Sequence, residues 1–429
     1  MIDAPGYDQL FAAGQAAMQA GRADVALDLF RQARGVRPRD PKALNAIGNR
    51  LISLGRPGEA REVLEAAIAV DSGIAPIWLN LAIAARADGD GDAELAALDG
   101  SLRADPYFGM ALLHKAGLME QRGQRDAAAA LYQALLNSAP PAEQLPDGMR
   151  RALDHARQVV AAEKRTLFDR FRSGAAATGV RSERFDRSIE LYCGLAERDS
   201  PAPVGGGSDR RHRPAPTGLY FPALPEPCFF DPALMPWLAE LEAATDRIRA
   251  ELLAVIARDM PMRPYVDIPA ERPVNQWAEL NRSLDWSALF LWENGKRIDA
   301  NADACPATDA LVRKLPLLDI PGKAPTAMFS ILRPGAVIPP HHGVTNSRAV
   351  VHLPLVIPPD CGFRVGGETR EWREGTAWAF DDTIEHEAWN RTDQPRAILI
   401  LDAWNPYLTA DERTLVAQAM LLIDQPFGG

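Results

Sequence analysis

Pro340-His341-His342-Gly343-Val344-Thr345-Asn346, then His352-Leu353-Pro354-Leu355-Val356-Ile357-Pro358, then Phe380-Asp381-Asp382-Thr383-Ile384-Glu385-His386-Glu387 and finally Arg396: the fold of the chain is decided by how this stretch is read. It holds four of the seven histidines. Imidazole is the usual side-chain ligand for iron, zinc, copper and nickel. Two histidines far apart in sequence, each beside a short β-like run, can converge on one metal from facing strands. Arg396, ten residues after the second histidine, can hold a carboxylate by a two-pronged hydrogen bond. The combination implies a metal site with an anion clamp, as in an oxygenase that uses iron and an oxo-acid cosubstrate.

Around this stretch the texture is that of short strands. Residues 287–292, 327–332, 350–357, 376–380 and 397–401 are β-like runs separated by Pro, Gly and Asp. That spacing predicts an antiparallel barrel or jelly roll, whose interior keeps a small cosubstrate and a metal out of bulk water. Residues 238–257 are apolar at helical spacing and are expected to pack on this domain.

The first 142 residues read differently, repeating every 34. Gly14, Gly48, Ala82 and Ala116 hold one register, where a small residue lets two helices approach. Gly21, Gly55, Gly89 and Gly123 hold a second, where a left-handed turn ends a helix. Phe30, Leu64, Leu98 and Tyr132 hold a third, the large inward residue of the following helix. Pro38, Pro106 and Pro140 mark three of the four repeat ends, with Ser72 in the remaining slot. The pattern resembles tetratricopeptide repeats, which stack into a solenoid with a concave, binding-competent face. Residues 143–164 read as a long capping helix continuing to about residue 173.

Composition sets outer limits. At 429 residues the chain has room for two or three domains, and 47% apolar with 24% charged residues is ordinary for globular proteins. A formal net charge of -10 argues against a nucleic-acid partner. Cys193, Cys228, Cys305 and Cys361 lie far apart with no C-x-x-C pair, so neither a zinc knuckle nor a disulfide framework is expected. No signal-peptide pattern and no apolar run of membrane-spanning length is present, which makes a cytoplasmic setting the expectation.

With Trp372-Arg373-Glu374-Gly375 and Asp402-Ala403-Trp404-Asn405-Pro406 added to the opening stretches, residues 218–407 resemble the aspartyl/asparaginyl β-hydroxylase family. The resemblance implies an Fe(II)- and 2-oxoglutarate-dependent oxygenase on a double-stranded β-helix. A repeat array ahead of the catalytic domain is an arrangement this family uses. The resemblance makes His341 and His386 the iron ligands and catalytic centre. His342 lies between the ligand and Gly343, and neighbours on a strand face opposite sides. Many iron(II) sites place a carboxylate two residues after the first histidine. Here that residue is Gly343, in keeping with a family that tends to lack this acid. Asp381, Asp382, Glu385 and Glu387 are then expected to be structural rather than ligating.

For 2-oxoglutarate the resemblance implies Arg396 on the distal carboxylate, Ser330 as its hydrogen-bonding partner and His352 near the metal. Val350 aligns with a position that is basic in the animal enzymes. Arg348, one pleat away on the same face, is the expected substitute. Trp277, Trp286, Trp292, Trp372, Trp378 and Trp389 are candidates to line the mouth. Asn275, Gln276, Trp277 and Asn281 are candidate substrate contacts, and Arg282 or Arg370 could clamp a substrate carboxylate.

The expected fold class is therefore α+β multidomain, an all-α solenoid followed by a double-stranded β-helix. The expected divisions are repeats at 1–142, capping helices at 143–200, a Gly/Pro/Arg-rich linker at 201–217 (with His212 solvated) and an oxygenase domain at 218–429. The expected activity is hydroxylation, using O2, of an Asp, Asn or related residue in a peptide or protein offered by the repeats. Alternatives are a non-peptide substrate such as a lipid acyl chain, halogenation at the position Gly343 leaves open, or a non-catalytic scaffold with a decayed barrel.

Overall fold

The computed structural model describes residues 5–198 and 213–423. Its contacts divide the chain into a unit of residues 1–163 with 269–273 and a unit of 164–268 with 274–429.

The first unit is four helical hairpins: α1 (Tyr7–Gln19) with α2 (Ala23–Val36), α3 (Pro41–Ser53) with α4 (Pro57–Val70), α5 (Ala75–Ala87) with α6 (Gly91–Ala104), and α7 (Gly109–Gln121) with α8 (Arg125–Ser138). Each register of the repeat does what its residue type requires. Gly21, Gly55, Gly89 and Gly123 end the first helix of each hairpin at φ of 71°, 69°, 77° and 74°, a conformation costly for residues with a Cβ. A Cβ on Gly14 would stand 2.6 Å from the Phe30 ring, and one on Gly48 2.5 Å from Leu64, so both glycines are required by close approach. Phe30, Leu64, Leu98 and Tyr132 are all buried. Asp40 and Asp90 cap α3 and α6 by accepting from Ala43 N and Ala93 N at 3.1 and 3.0 Å.

The long helix α9 (Asp147–Thr178) covers the array through Leu153, Ala156 and Val160. Its later part behaves otherwise. Phe171, with Phe185 and Ile189 of α10 (Glu183–Tyr192), joins Leu219, Phe221, Leu415 and Val416 in a core of the second unit. The expected capping segment 143–200 is thus divided, its second half belonging to the unit that holds the barrel.

In the second unit α11 (Leu238–Ala243) and α12 (Thr245–Ala257) replace the single helix expected at 238–257. Two short helices, α13 (Asp299–Ala304) and α14 (Pro306–Lys314), precede the barrel, and α15 (Ala410–Leu422) closes the described chain. The strands are β1 (Arg263–Pro264), β2 (Trp286–Glu293), β3 (Lys296–Arg297), β4 (Ala327–Leu332), β5 (Val337–His341), β6 (Arg348–Val356), β7 (Cys361–Val365), β8 (Glu368–Glu371), β9 (Trp378–Phe380), β10 (His386–Asn390) and β11 (Arg396–Trp404). They form an antiparallel sheet ordered β1-β2-β4-β11-β6-β9, with β3 beside β2, and a second ordered β5-β10-β7-β8. From β4 to β11 the chain passes back and forth between the sheets, which is the double-stranded β-helix.

Alternation sorts the side chains of the larger sheet. Phe329, Ile331, Val351, Leu353, Leu399 and Leu401 face outward and pack with Leu241, Ile248 and Leu252 of α11 and α12. Leu332, Val350 and Ile398 face inward, with Phe363, Trp372, Trp378 and Ala388. Both faces are buried, so these strands read as continuous apolar runs. A polar residue on the inner parity, such as Ser330, His352 or Arg396, is then a conspicuous exception.

Most of the expected linker 201–217, His212 included, lies outside the described residues. Its end does not behave as a linker. Ala215 N donates to Thr383 O at 2.7 Å, Thr217 N to Gly343 O at 3.0 Å, and Gly218 N to Val344 O at 2.9 Å. This segment is stitched to the two loops that carry the site.

Candidate active site

His341 ends β5 and His386 begins β10, and the two face one another directly in the ladder. Their ring centroids are 4.0 Å apart. Simple alternation from the inward Ile338 would turn Pro340 and His342 inside. The ladder instead pairs Ile338 with Ala388 and His341 with His386, so β5 spends three residues where β10 spends two. That irregularity falls on Pro339-Pro340, residues suited to a bulge because they have no N–H to give the ladder. The bulge is what brings His341 onto the inner face.

His341 Nδ1 lies 2.8 Å from Pro339 O and His386 Nδ1 3.0 Å from Ile384 O. A carbonyl only accepts, so each Nδ1 carries the proton and each Nε2 keeps its lone pair. Burial pulls the pKa of both rings down, His386 well below the ordinary value with a further push from His341. Two neutral imidazoles, each oriented by a backbone carbonyl, are the form that binds a transition metal. His342 is held elsewhere, its Nδ1 donating to Thr383 O at 3.0 Å.

Among the described residues no group of three or more His, Cys, Asp or Glu side chains is placed to hold a metal. The nearby acids all have other partners. Asp381 accepts from Thr383 N at 2.9 Å and Thr383 Oγ1 at 2.6 Å, and burial pushes its carboxyl up to about 7. Glu385 and Glu387 are held by Arg364. Asp382 ion-pairs with Arg348, and its carboxylate fills the space a Cβ on Gly343 would need. Gly343 thus makes room for a carboxylate that arrives from another loop.

Arg348 corrects an expectation. It is buried between Asp382 and Asp402, the latter at 3.4 Å. Burial opposes its charge, but the two carboxylates outweigh that and raise its pKa. A guanidinium so neutralised braces the site rather than supplying the missing cation beside Val350.

Arg396 is the opposite case. It is 1% exposed, and its Nε and Nη1 have no hydrogen-bond partner among the described residues. Burial draws its pKa down to about 10, so it remains charged at neutral pH. Its guanidinium lies over the Trp372 ring, 4.7 Å from the centroid. An unpaired buried guanidinium is costly and calls for an anion. Ser330 projects inward from β4, and its Oγ accepts from Trp286 Nε1 at 3.1 Å, leaving the hydroxyl proton to donate. His352, inward on β6, is also buried, its Nδ1 without a hydrogen-bond partner among the described residues; burial and then Arg396 hold it well below its ordinary pKa. Two imidazoles, a lone buried cation and these donors make a fitting set for a metal with open positions and a carboxylate guest.

The tryptophans separate into three groups. Trp277 meets the His341 ring edge-on at 4.9 Å, and Trp286 lies 6.4 Å from it. Trp372 and Trp378 are inside the barrel. Trp292 donates to Asp309 at 2.7 Å, and Trp389 packs against Gly362, so neither lines the mouth. Of the two candidate clamps, Arg282 pairs with Asp267 at 2.9 Å, and Arg370 pairs with Glu368 and covers Phe229. Asn281 accepts from Ile268 N at 2.8 Å, a structural use. The pairing of Asp382 with Arg348 and the stacking of Trp372 under Arg396 are not legible in the sequence, because each joins residues remote in the chain.

Comparison with known proteins follows the same division. The Aspartyl/Asparaginyl beta-hydroxylase family model matches residues 242–406, and the tetratricopeptide repeat model matches 11–49 and 45–107. Ornithine lipid ester-linked acyl 2-hydroxylase of Rhizobium tropici is 35% identical over 212 residues, 49% of this chain and 72% of that protein. Human Aspartyl/asparaginyl beta-hydroxylase is 40% identical over 136 residues, 31% of this chain but 18% of that protein. Aspartate beta-hydroxylase domain-containing protein 2 of Xenopus tropicalis is 37% identical over 134 residues, 30% of this chain and 36% of that one. Against these last two the chain spans well under half of the relative's length.

Proposed function

We propose that this chain, which belongs to the aspartyl/asparaginyl β-hydroxylase family, is an Fe(II)- and 2-oxoglutarate-dependent hydroxylase. The observation that carries the reading is the buried guanidinium of Arg396, whose Nε and Nη1 have no hydrogen-bond partner among the described residues, in the barrel interior that His341 and His386 also face. His341 and His386 would hold the metal through Nε2. Arg396 would take the distal carboxylate of 2-oxoglutarate, Ser330 would donate to it, and neutral His352 would adjoin the part nearer the metal. When bound, the iron and 2-oxoglutarate supply the oxidising power, turning O2 into a hydroxyl on substrate while releasing succinate and CO2. The protein's own contribution is orientation and dryness. Phe363, Trp372, Trp378 and Phe380 pack the interior, and the bulge at Pro339-Pro340 fixes the imidazoles. Arg348 holds the buried carboxylates of Asp382 and Asp402 in ion pairs.

The substrate we propose is an Asp, Asn or related residue of a peptide or protein, with the helical repeats as recognition module. A lipid acyl chain is the second reading, favoured by one observation: the Rhizobium tropici relative, matched over 72% of its length, is a lipid acyl hydroxylase by name. The test is succinate formation with Fe(II), ascorbate and 2-oxoglutarate, run with Asp/Asn peptides and separately with acylated lipids. Stimulated succinate and a gain of ~16 Da on one of them identifies the substrate class. Bound iron with no succinate in either arm would favour the scaffold.

A further inference from the structure

One buried polar group beside Arg396 is left unexplained by these assignments. Trp372 follows β8 in the chain, is 5% exposed, and its indole Nε1 has no hydrogen-bond partner among the described residues. Indole nitrogen can only donate, and a buried donor without an acceptor is destabilising. The ring is held firmly: Trp378 stacks on it at 6.2 Å and 16°, Phe363 lies 5.4 Å away, and the Arg396 guanidinium covers it at 4.7 Å. Arg396 has two unpartnered N–H nitrogens of its own, so unmet donors gather on both members of one stack.

We propose that Trp372 is a binding residue for the cosubstrate's distal carboxylate, its indole N–H serving one oxygen while Arg396 serves the other. The inference rests on the 2-oxoglutarate reading of the site. The Arg396 guanidinium lies over the face of the Trp372 ring, so the stack offers cationic N–H donors and an indole N–H, and a carboxylate has two oxygens with which to meet them. The charge attracts any anion, whereas the indole adds a directional donor. The pair therefore selects oxo-diacids over oxo-acids that lack the second carboxylate. The indole of Trp378, whose Nε1 also has no hydrogen-bond partner among the described residues, backs the stack and keeps the Trp372 plane fixed.

The experiment is calorimetric titration of the full chain with Zn(II), a metal without redox chemistry, against 2-oxoglutarate and against 2-oxobutyrate. Trp372→Phe keeps the aromatic stack and removes the N–H. It is expected to weaken 2-oxoglutarate about tenfold, the low end for a hydrogen bond to a charged group, while 2-oxobutyrate affinity stays at the wild-type value. That unchanged second affinity also reports that the variant has folded. An unaltered ratio of the two affinities in Trp372→Phe overturns the proposal, as does an indole 1H–15N resonance of Trp372 that does not move when 2-oxoglutarate is added. A wild-type chain that binds neither acid overturns the cosubstrate reading itself, and this inference with it.

Discussion

Arg348 and Arg396 lie on neighbouring strands at opposite ends of one ladder, where Trp404 pairs with Arg348 and Arg396 with Leu332 on the far side of β11. Both are buried, at 8% and 1% exposure, yet one has carboxylate partners and the other has none among the described residues. Arg348 has two carboxylates; Arg396 has an aromatic face and unpartnered nitrogens. The same residue type is a brace at one end and an anion receptor at the other. Burial alone does not identify a functional arginine; the absence of its counter-charge does.

The comparison can be broken most decisively at the histidines between the two ends. His341→Ala and His386→Ala are each expected to lower metal-dependent succinate formation by more than ~100-fold, beyond the loss seen when only an outer partner of a ligand is removed. Full turnover in either variant would remove the reason to read the Arg396 end as a cosubstrate site. Next come the arginines themselves, in denaturant titrations run side by side. Arg348→Met leaves two buried carboxylates unpaired and is expected to cost about 3–5 kcal/mol of stability. Arg396→Met removes a charge that has no partner, so the apo fold should be as stable or more so, while the 2-oxoglutarate dissociation constant rises ~10–100-fold. Equal destabilisation by both would show that Arg396 is a structural ion after all.

A smaller effect probes the braced end. Gly343→Ala pushes a Cβ into the Asp382 carboxylate, and overpacking of that kind costs about 1–3 kcal/mol. In an Asp382→Ala background the cost of Gly343→Ala should be smaller, a coupling that a double-variant cycle would measure. The smallest expected effect lies in the other unit. Gly55→Ala meets open space but a φ of 69°, so it should cost about 1 kcal/mol in thermal unfolding and leave the 2-oxoglutarate affinity unchanged. A shift in that affinity would mean that the two ends of the barrel are not the whole account of binding.

How much was legible in the residues differs between the units. In the repeats the informative residues are close in sequence: Gly14 meets Phe30 and Gly48 meets Leu64, so a periodicity of 34 carries the packing with it. In the barrel, the runs at 327–332 and 397–401 were visible as strands, since continuous β-branched and aliphatic stretches have few other uses. The strands β5, β7, β8 and β10 were not singled out as strands, because prolines, glycines and charges interrupt them. The helix expected at 238–257 broke at Ala244, where α11 gives way to α12. The role expected of Arg348 failed because its partners Asp382 and Asp402 come from distant parts of the chain.

The sequence by itself determined the repeat array, the presence of a β-rich second half, and the identity of the histidines and arginines from which a site could be built. Periodicity and residue chemistry are local properties, and they survive in a string of letters. Tertiary structure alone decided which of those residues are available. It placed a bulge at Pro339-Pro340 that turns His341 inward, gave Arg348 two counter-charges, and left two guanidinium nitrogens of Arg396 and the indole N–H of Trp372 without a partner among the described residues. Each of these depends on what a distant strand brings alongside, and a buried charge takes its role from that neighbour.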